Sequence, residues 1–271
     1  SFCVSVLEEQ GLAERLVNEM YFDERMLDLD LSDNVVAINY HSHSCVALRH
    51  QNRLFLFDYC MKASFDKDSF LGLCPLEKLE PFDVYIFNSH VHGDHWTSSV
   101  LDLPLSEKLH YVLSFDIPIP QTEHKVVSCQ VNQWHETGEI KVFTPPSSDE
   151  GVAFLVEAPG LTIYHSGDNA FWDWESCRVA EGYFKEFLQP VIDQEKNIDV
   201  AFQVADPRCF ETHYGGIHDI STFLDIGLLI PIHNFNDFSH QEKMRDLVKE
   251  KHPDQDYWHI TGPGLYRTYE L

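Results

Sequence analysis

The amino-acid sequence predicts an α+β fold in which two β-sheets pack together and carry helices on their outer sides. Between residues 35 and 165, short runs of β-branched and aromatic residues follow one another at strand length. After residue 180 the spacing of apolar residues changes to that of helices, and strands then alternate with helices. No linker, low-complexity tract or short repeat interrupts residues 35–271, so we expect one domain there.

The strand predictions follow the apolar runs directly. Strands are predicted at Val35–Ile38, Cys45–Leu48, Leu54–Phe57, Val84–Phe87, Tyr111–Leu113, Val126–Val131 and Lys141–Phe143. The runs Gly151–Val156 and Leu161–His165 flank the tripeptide Ala158-Pro159-Gly160. Because Pro and Gly favour tight turns, these two runs are expected to pair as a hairpin.

The helix predictions rest on the spacing of apolar residues along the sequence. Apolar residues recur at positions i, i+3, i+4, i+7 and i+8 in Phe184, Phe187, Leu188, Val191 and Ile192. This stripe is expected to face the core, and Pro190 to kink or shorten its helix. Further elements are predicted as strands at Ile198–Val204 and Leu228–Ile232, and as helices at Asp219–Ile226 and around Lys243–Lys249.

Residues 1–34 differ from the remainder of the chain. Apolar residues recur at roughly helical spacing in Leu7, Leu12, Leu16 and Val17. Gly11 weakens the helix prediction, and the strongly acidic stretch Asp23–Asp33 follows. We expect a helical extension, residues 1–34, packed on the main domain. The opening segment Ser1–Leu7 lacks the basic region and the length of a secretion signal, but it also lacks an initiator Met, so removal of a leader stays open.

Composition restricts the function classes. The chain has 44 acidic and 19 basic residues and a formal charge of −25, which repels polyanions and disfavours nucleic acid as a partner. No apolar run approaches the roughly 18 residues of a membrane span. The cysteines are odd in number at 7, scattered, and never spaced as CxxC. This usage, together with the lack of a glycosylation sequon, favours a reducing, cytoplasmic setting.

The strongest functional feature is the HVHGDH loop, residues His90–His95, which follows the apolar run Val84–Phe87. A tight loop with Gly93 at its turn can direct its first two histidines to one cation and its last two residues to a neighbouring one. Imidazole and carboxylate ligands together suit Zn, Mn or Fe. A histidine-rich surface loop is the alternative, since His makes up 16 of 271 residues, but the position after a buried strand favours metal binding.

The HVHGDH loop resembles the metal-binding loop of the metallo-β-lactamase superfamily, and three further features extend the likeness over residues 35–271. The resemblance implies a four-layer αββα sandwich. Asp58, after Leu54–Phe57, is similar to the family's early Asp, which supports the metal loop without binding metal. Asp168, after Gly167, resembles the family's strand-end carboxylate that bridges two metals. His233, after Leu228–Ile232, resembles its last ligand.

The resemblance therefore implies a metal-ligand set made of His90, His92, Asp94, His95, Asp168 and His233. Within the superfamily, the segment Tyr40–Leu48 and the final strand-end His look similar to the branch that contains ascorbate-phosphate lactonase. The segment Ser147–Phe154 resembles uncharacterised bacterial members, a likeness that implies no substrate.

One departure from the family concerns the first metal. Most members place a third His between the HVHGDH loop and the residue that Asp168 resembles, whereas this chain has Thr144–Glu150 there. Asp149 or Glu150 can substitute as an oxygen ligand, or His135 can reach in from the preceding loop. Otherwise the first site is weak or empty. A carboxylate substitute is slightly favoured.

The predicted function is a metal-dependent hydrolase, EC class 3, with one or two divalent ions, Zn first and Mn or Fe next. Such a cation lowers the pKa of bound water toward about 7. The resemblance implies that Asp94 is catalytic, orienting the hydroxide and shuttling its proton. His43, His165 and His218 are candidates for lining the pocket.

The expected substrate is a small molecule: an ester, lactone, amide or phosphodiester. The alternative is a metal-binding or ligand-sensing protein with impaired catalysis, as the departure at Thr144–Glu150 suggests. A redox role like that of the diiron members is disfavoured, because those members usually carry an acid where His92 stands.

Overall fold

The computed structural model describes residues 22–61, 68–172 and 180–271, with the backbone alone for 180–183. These residues form two compact units. The first unit comprises the described residues up to Ser128 together with Gly262–Leu271, and the second comprises those between Cys129 and Thr261. Each unit is built on one seven-stranded mixed sheet.

The first unit begins with a 3-10 helix, Glu24–Leu27, and two more follow at Leu76–Leu79 and Ser98–Asp102. Its strands are β1 (Val35–Ser42), β2 (Cys45–His50), β3 (Arg53–Phe57), β4 (Ser69–Phe70), β5 (Cys74–Pro75), β6 (Asp83–Asn88), β7 (Leu109–Ser114), β8 (Val126–Cys129) and β16 (Leu265–Glu270). The sheet order is β16-β1-β2-β3-β6-β7-β8, while β4 and β5 form a separate pair. The central strands β3, β6 and β7 run parallel.

The core of the first unit lies on one face of its sheet. Leu54 and Leu56 of β3 and Val84 and Ile86 of β6 belong to one buried cluster, which the 3-10 helix residue Met26 joins. Every residue of β3 is buried, as expected for parallel strands in the middle of a sheet. The carboxyl ends of β3 and β6 are therefore held by strands that are packed in the core.

The second unit contains strands β9 (Gln133–Thr137), β10 (Ile140–Thr144), β11 (Phe154–Ala158), β12 (Leu161–His165), β13 (Asn197–Val204), β14 (Asp225–Ile232) and β15 (Asp256–Tyr257). Its helices are α1 (Ala180–Ile192), α2 (His213–Gly216), α3 (Ile220–Phe223) and α4 (Gln241–Lys251), with a 3-10 helix at Pro207–Thr212. The sheet order is β15-β14-β13-β12-β11-β10-β9. Strands β12, β13 and β14 are parallel, so their carboxyl ends share one edge of the sheet.

Helices of the second unit pack on its sheet. Leu188 and Val191 of α1 and Met244 of α4 share a buried cluster with Ala201 of β13 and Leu229 of β14. The apolar stripe of α1 thus faces the core, as its spacing predicted, and the helix ends two residues after Pro190. The predicted α+β class is confirmed.

Most strand predictions are confirmed, and the predicted hairpin is β11–β12, with Leu155 opposite Tyr164. The helix prediction for Asp219–Ile226 is wrong beyond its first turn, because α3 ends at Phe223 and β14 begins at Asp225. There β14 pairs with β13 from its first residue, and this tertiary pairing overrides local helix propensity. The polar edge strands β9, β15 and β16 escaped prediction because they lack an apolar run.

The predicted helical extension lies largely outside the described residues. Of residues 22–34, Glu24–Leu27 form a 3-10 helix whose Met26 and Leu27 are buried. Within the part of the chain that the structure describes, the helices are all too short or too polar to cross a membrane.

Candidate metal centre

The HVHGDH loop and Asp58 meet at one edge of the first unit's sheet. Asp58 directly follows β3, and the loop follows β6, which runs parallel to β3. The backbone N–H of Asp58 donates to the carbonyl of Phe87 at 2.8 Å, which ties the end of one strand to the other. Asp58 has a φ of 46°, and its side chain is wholly buried.

The Asp58 carboxylate supports the loop through three hydrogen bonds. It accepts from the Ser89 backbone N–H at 2.8 Å, the Ser89 hydroxyl at 2.9 Å and His95 Nδ1 at 2.8 Å. The Ser89 oxygen lies 2.9 Å from His90 Nδ1. Because the Ser89 hydroxyl donates to Asp58, its oxygen accepts from His90. Both rings thus carry their proton on Nδ1, and Nε2 presents the lone pair that a metal requires.

The spacing of candidate ligand atoms in the first unit fits a divalent cation. His90 Nε2 lies 3.1 Å from His92 Nδ1. Asp94 Oδ2 lies 3.3 Å from His43 Nε2 and 3.8 Å from His95 Nε2. Two ligands of a tetrahedral ion with bonds of roughly 2.0–2.1 Å stand about 3.3–3.4 Å apart. The donor set therefore suits zinc or a similar ion.

Burial strengthens this fit. His90 and His95 are fully buried, and His43 and Asp94 are 1% and 5% exposed. Gathering imidazoles and a carboxylate away from water is costly unless hydrogen bonds or a cation compensate. Ligand atoms of His43, Asp94 and His95 all lie within 4.8 Å of one another. His43, expected only to line a pocket, thus contacts the predicted catalytic carboxylate.

Gly93 does not have the role that the sequence suggested. Its φ is outside the left-handed region that favours glycine, and a Cβ at this position would meet nothing within 4 Å. The expectation that a glycine-specific turn directs the ligands is therefore wrong. Hydrogen bonds take that part instead: Asn88 Nδ2 donates to the His95 carbonyl at 2.7 Å, and Val91 N–H to Asp116 at 3.1 Å.

In the second unit, three parallel strands end in one polar cluster. Asp168 follows β12 after a short turn, Asp206 follows β13, and His233 follows β14. His233 Nε2 lies 3.3 Å from Asp168 Oδ2, and its Nδ1 lies 3.0 Å from Asp206 Oδ2. The ring of Trp172 packs edge-on against that of His233, with centroids 5.3 Å apart. The predicted residues Asp168 and His233 are thus neighbours.

The carboxylates and the imidazole of this cluster each stabilise the charged form of the other. Burial alone lowers the pKa of His233, but Asp168 and Asp206 more than offset it and raise that pKa to about 10. Burial raises the pKa of Asp206, while His233 and Arg208 outweigh that effect and hold it at about 2. At neutral pH a cation that takes His233 Nε2 must therefore displace a proton.

Asp206 and Ser89 were not identified from the sequence. Asp206 stands two residues after the apolar strand β13, close to the position that Asp58 has after β3. That signal was available, but Asp206 precedes Pro207, and Asp-Pro also begins ordinary turns. Ser89 offered no signal, because its role depends on the side chain of Asp58, 31 residues earlier.

The remaining candidates lie in the second unit. Asp149 is exposed, and the hydroxyl of the adjacent Ser148 donates to the Ala170 carbonyl at 2.8 Å and accepts from its N–H at 2.9 Å. The Asp149 segment is thus fastened to the loop that carries Asp168. His165 is buried and accepts from the Gly167 N–H at 3.1 Å, so it stabilises the turn before Asp168.

His135 and His218 are placed differently from these residues. His135 lies within the edge strand β9, opposite Val142. The ring of His218 packs against that of His213 with centroids 4.2 Å apart, and its Nδ1 lies 3.8 Å from Asp219. Among the described residues, neither histidine belongs to a group of side chains that could hold a metal ion.

No family model matches the sequence, and a search of curated proteins gave no match either. Solved structures do match. The metallo-β-lactamase fold protein YhfI from Bacillus subtilis is 15% identical with a TM-score of 0.56, covering 87% of this chain and 100% of that one. Igni18, a metallo hydrolase from the archaeon Ignicoccus hospitalis, is 14% identical with a TM-score of 0.57, covering 88% and 99%.

CmlA, a diiron β-hydroxylase from Streptomyces venezuelae, is 14% identical with a TM-score of 0.55. The match covers 90% of this chain but 55% of CmlA. At these identities the likeness shows the fold: the chain has the metallo-β-lactamase fold. Since a metallo hydrolase and a diiron β-hydroxylase both match, the fold does not decide the metal or the reaction.

Proposed function

We propose that this chain, with its metallo-β-lactamase fold, is a metal-dependent hydrolase of a small ester, lactone, amide or phosphodiester. The observation that carries the proposal is the first unit's cluster. Its imidazoles, of which all but the half-buried His92 are buried, and the Asp94 carboxylate present ligand atoms 3.1–3.8 Å apart. Asp58 and Ser89 fix the ligand tautomers of His95 and His90.

The proposed metal ligands are His90, His92, Asp94 and His95 of the first unit and, as the resemblance implies, Asp168 and His233 of the second. The inclusion of Asp168 and His233 is supported by the sequence pattern of the resembled family and by their own contact at 3.3 Å. We further propose that Asp149 stands in for the absent third histidine. Zinc fits this nitrogen-rich set best, and Mn or Fe are the alternatives.

When bound, a divalent cation supplies a nucleophile at neutral pH by lowering the pKa of water toward about 7. Asp94 orients that nucleophile and accepts its proton. His43, with Nε2 3.3 Å from Asp94 Oδ2, holds this carboxylate in place. Asp58 and Asp206 each bind an Nδ1–H, so that His95 and His233 keep Nε2 directed to the centre.

Metal analysis and a substrate panel test the proposal together. Purified protein is expected to retain at least about one equivalent of Zn, Mn or Fe and to hydrolyse at least one class among esters, lactones, amides and phosphodiesters. Asp94→Asn is expected to lower kcat/KM at least about 100-fold. The matched control is Asp102→Asn, an exposed Asp in the same unit, which should leave activity unchanged.

A catalytically impaired binding or sensing protein is the second candidate, favoured by the segment Thr144–Glu150 where a histidine ligand is expected. It gains support if the protein carries less than about one equivalent of metal and turns over none of the panel. Unchanged activity in Asp94→Asn would contradict the hydrolytic mechanism.

The assignment of Asp149 has its own test. Asp149→Ala is expected to reduce bound metal from about two equivalents to about one, while Glu150→Ala, at the adjacent exposed position, leaves it unchanged. If Asp149→Ala keeps the full metal content, Asp149 is not a ligand. His135→Ala then examines the other sequence-based alternative.

A cytoplasmic setting is also part of the proposal. The cysteines of the described residues, Cys45, Cys60, Cys74, Cys129 and Cys209, are buried thiols, as expected where thiols stay reduced. The formal charge of −25 supports a small-molecule substrate in preference to a nucleic acid.

A further inference from the structure

Arg208 grips the carboxylate that supports His233. Its Nε donates to Asp206 Oδ1 at 3.0 Å, and its Nη2 donates to Asp206 Oδ2 at 2.7 Å. The backbone N–H of Arg208 also donates to Oδ1, at 2.7 Å. This two-point arrangement fixes the plane of the carboxylate as well as its position. Asp206 Oδ2 is also the atom that contacts His233 Nδ1.

The same guanidinium covers a second neighbour of His233. The Arg208 Cζ lies 4.2 Å from the centroid of the Phe235 ring, a cation–π contact. The Phe235 ring in turn packs edge-on against the His233 ring, with centroids 5.0 Å apart. Arg208 therefore touches two of the groups that border the imidazole, the Asp206 carboxylate and the Phe235 ring.

The backbone at His233 needs such support. His233, Phe235 and Asn236 have φ values of 67°, 48° and 59°, in the left-handed region where residues other than glycine are strained. Strained residues persist only when their surroundings hold them. In this segment, the contacts of Arg208 with Asp206 and Phe235 provide part of that restraint.

We propose that Arg208 is a positioning residue for His233, acting through Asp206 and Phe235 to hold the imidazole with Nδ1 on Asp206 and Nε2 toward Asp168. The inference rests on the proposed function, which makes His233 a metal ligand. A lysine cannot replace Arg208 in this role, because an ammonium group lacks the planar fork that grips both carboxylate oxygens and stacks on an aromatic ring.

A matched control exists in the same unit. Arg245 also pairs with a carboxylate near it in sequence, Asp246, at 2.8 Å, and its side chain is 38% exposed against 39% for Arg208. The difference is the partner: Asp246 is 68% exposed, whereas Asp206 is fully buried. Exposed ion pairs contribute little to stability. Arg245→Gln therefore measures the effect of losing an arginine of similar exposure that does not position His233.

The first measurement is the affinity for Zn²⁺, by competition with a chromophoric chelator, of Arg208→Lys, Arg208→Gln and Arg245→Gln. Both Arg208 variants are expected to bind Zn²⁺ about 10- to 100-fold more weakly than the original protein, and Arg245→Gln within about twofold of it. Relative to Arg208→Gln, Arg208→Lys is expected to return the melting temperature of the metal-free protein to that of the original protein, but not to restore the affinity for Zn²⁺. If lysine restores both, Arg208 has only a structural role and the proposal is overturned.

The second measurement needs no metal. In the metal-free protein, nitrogen-15 NMR follows the exchange with solvent of the His233 Nδ1 proton that Asp206 holds. Arg208→Gln and Phe235→Leu are expected to accelerate this exchange at least about tenfold. Unchanged exchange in both overturns the positioning role. If the original protein fails to bind Zn²⁺, the proposed function falls, while the exchange rates still decide the role of Arg208.

Discussion

The two units assemble their polar clusters in different ways. In the first, one buried carboxylate, Asp58, supports a contiguous loop, with direct contacts to Ser89 and His95. In the second, three separate strand ends each supply one residue, Asp168, Asp206 and His233. The first cluster is therefore built largely on one loop, and one carboxylate supports the side chains of that loop. The second is distributed over the chain and shares its restraint among Asp206, Arg208 and the Trp172 and Phe235 rings.

The largest effect should come from removing the two supporting carboxylates. Asp58→Ala leaves the Ser89 N–H and the His95 Nδ1–H buried without their acceptor, which is expected to lower the free energy of unfolding by about 3–5 kcal/mol. Asp206→Ala should cost less, about 1–3 kcal/mol, because Asp168 still pairs with His233 and the half-exposed Arg208 can turn to water. Urea unfolding of the metal-free variants measures both. Equal losses would contradict the contrast between one support and several.

A second prediction concerns acid stability in the first unit. His41 is fully buried in β1, and its ring nitrogens have no hydrogen-bond partner among the described residues. Burial lowers its pKa to about 3, so between pH 6.5 and 3 the unfolded chain binds a proton that the folded chain does not. Stability linked to His41 is complete above pH 6.5 and falls by about 1.4 kcal/mol per pH unit below it.

His41→Phe should remove this contribution. The unfolding free energy of the variant, measured from pH 7 to 4.5, is expected to decline less steeply than that of the original protein. His124→Phe serves as the control, since His124 is half-buried and its Nε2 contacts the Leu101 carbonyl at 3.1 Å. Parallel curves for His41→Phe and the original protein would refute the prediction.

The smallest losses of stability are expected when either of two glycines, one beside each cluster, is replaced by alanine. A Cβ at Gly93, in the HVHGDH loop, meets nothing within 4 Å, whereas at Gly215, with φ of 81°, it meets the Ala170 Cβ at 3.2 Å. Gly215→Ala is expected to cost about 1–2 kcal/mol, and Gly93→Ala about 0.5 kcal/mol or less. Thermal unfolding of both variants checks this order. A larger loss in Gly93→Ala would mean that the loop needs a glycine there after all.

This contrast explains what the sequence could predict. The HVHGDH loop is contiguous, so its composition and its place after β6 are visible in the sequence. Asp58, Asp168 and His233 were identified by their resemblance to residues of the metallo-β-lactamase family. The α+β class followed from apolar spacing. The structure brings Asp168 and His233 into contact across the end of β13, the strand that lies between β12 and β14.

What escaped prediction depends on contacts between distant residues. Asp206 and Arg208 matter because of His233, more than 20 residues later in the chain, and no local pattern marks that pairing. The helix predicted over Asp219–Ile226 failed for the same reason, since β14 is fixed by its neighbour β13. His43 was expected to line a pocket, but only the turn between β1 and β2 brings its Nε2 to Asp94.

The central claim is that the first unit's cluster is a metal site, and anomalous diffraction from crystals grown with Zn²⁺ tests it most directly. The account predicts an anomalous peak at bonding distance, about 2.0–2.1 Å, from His90 Nε2 and His92 Nδ1, with the Asp58–His95 hydrogen bond intact. Crystals in which zinc is absent from these nitrogens, with the His90 and His92 rings hydrogen-bonded only to each other, would contradict it.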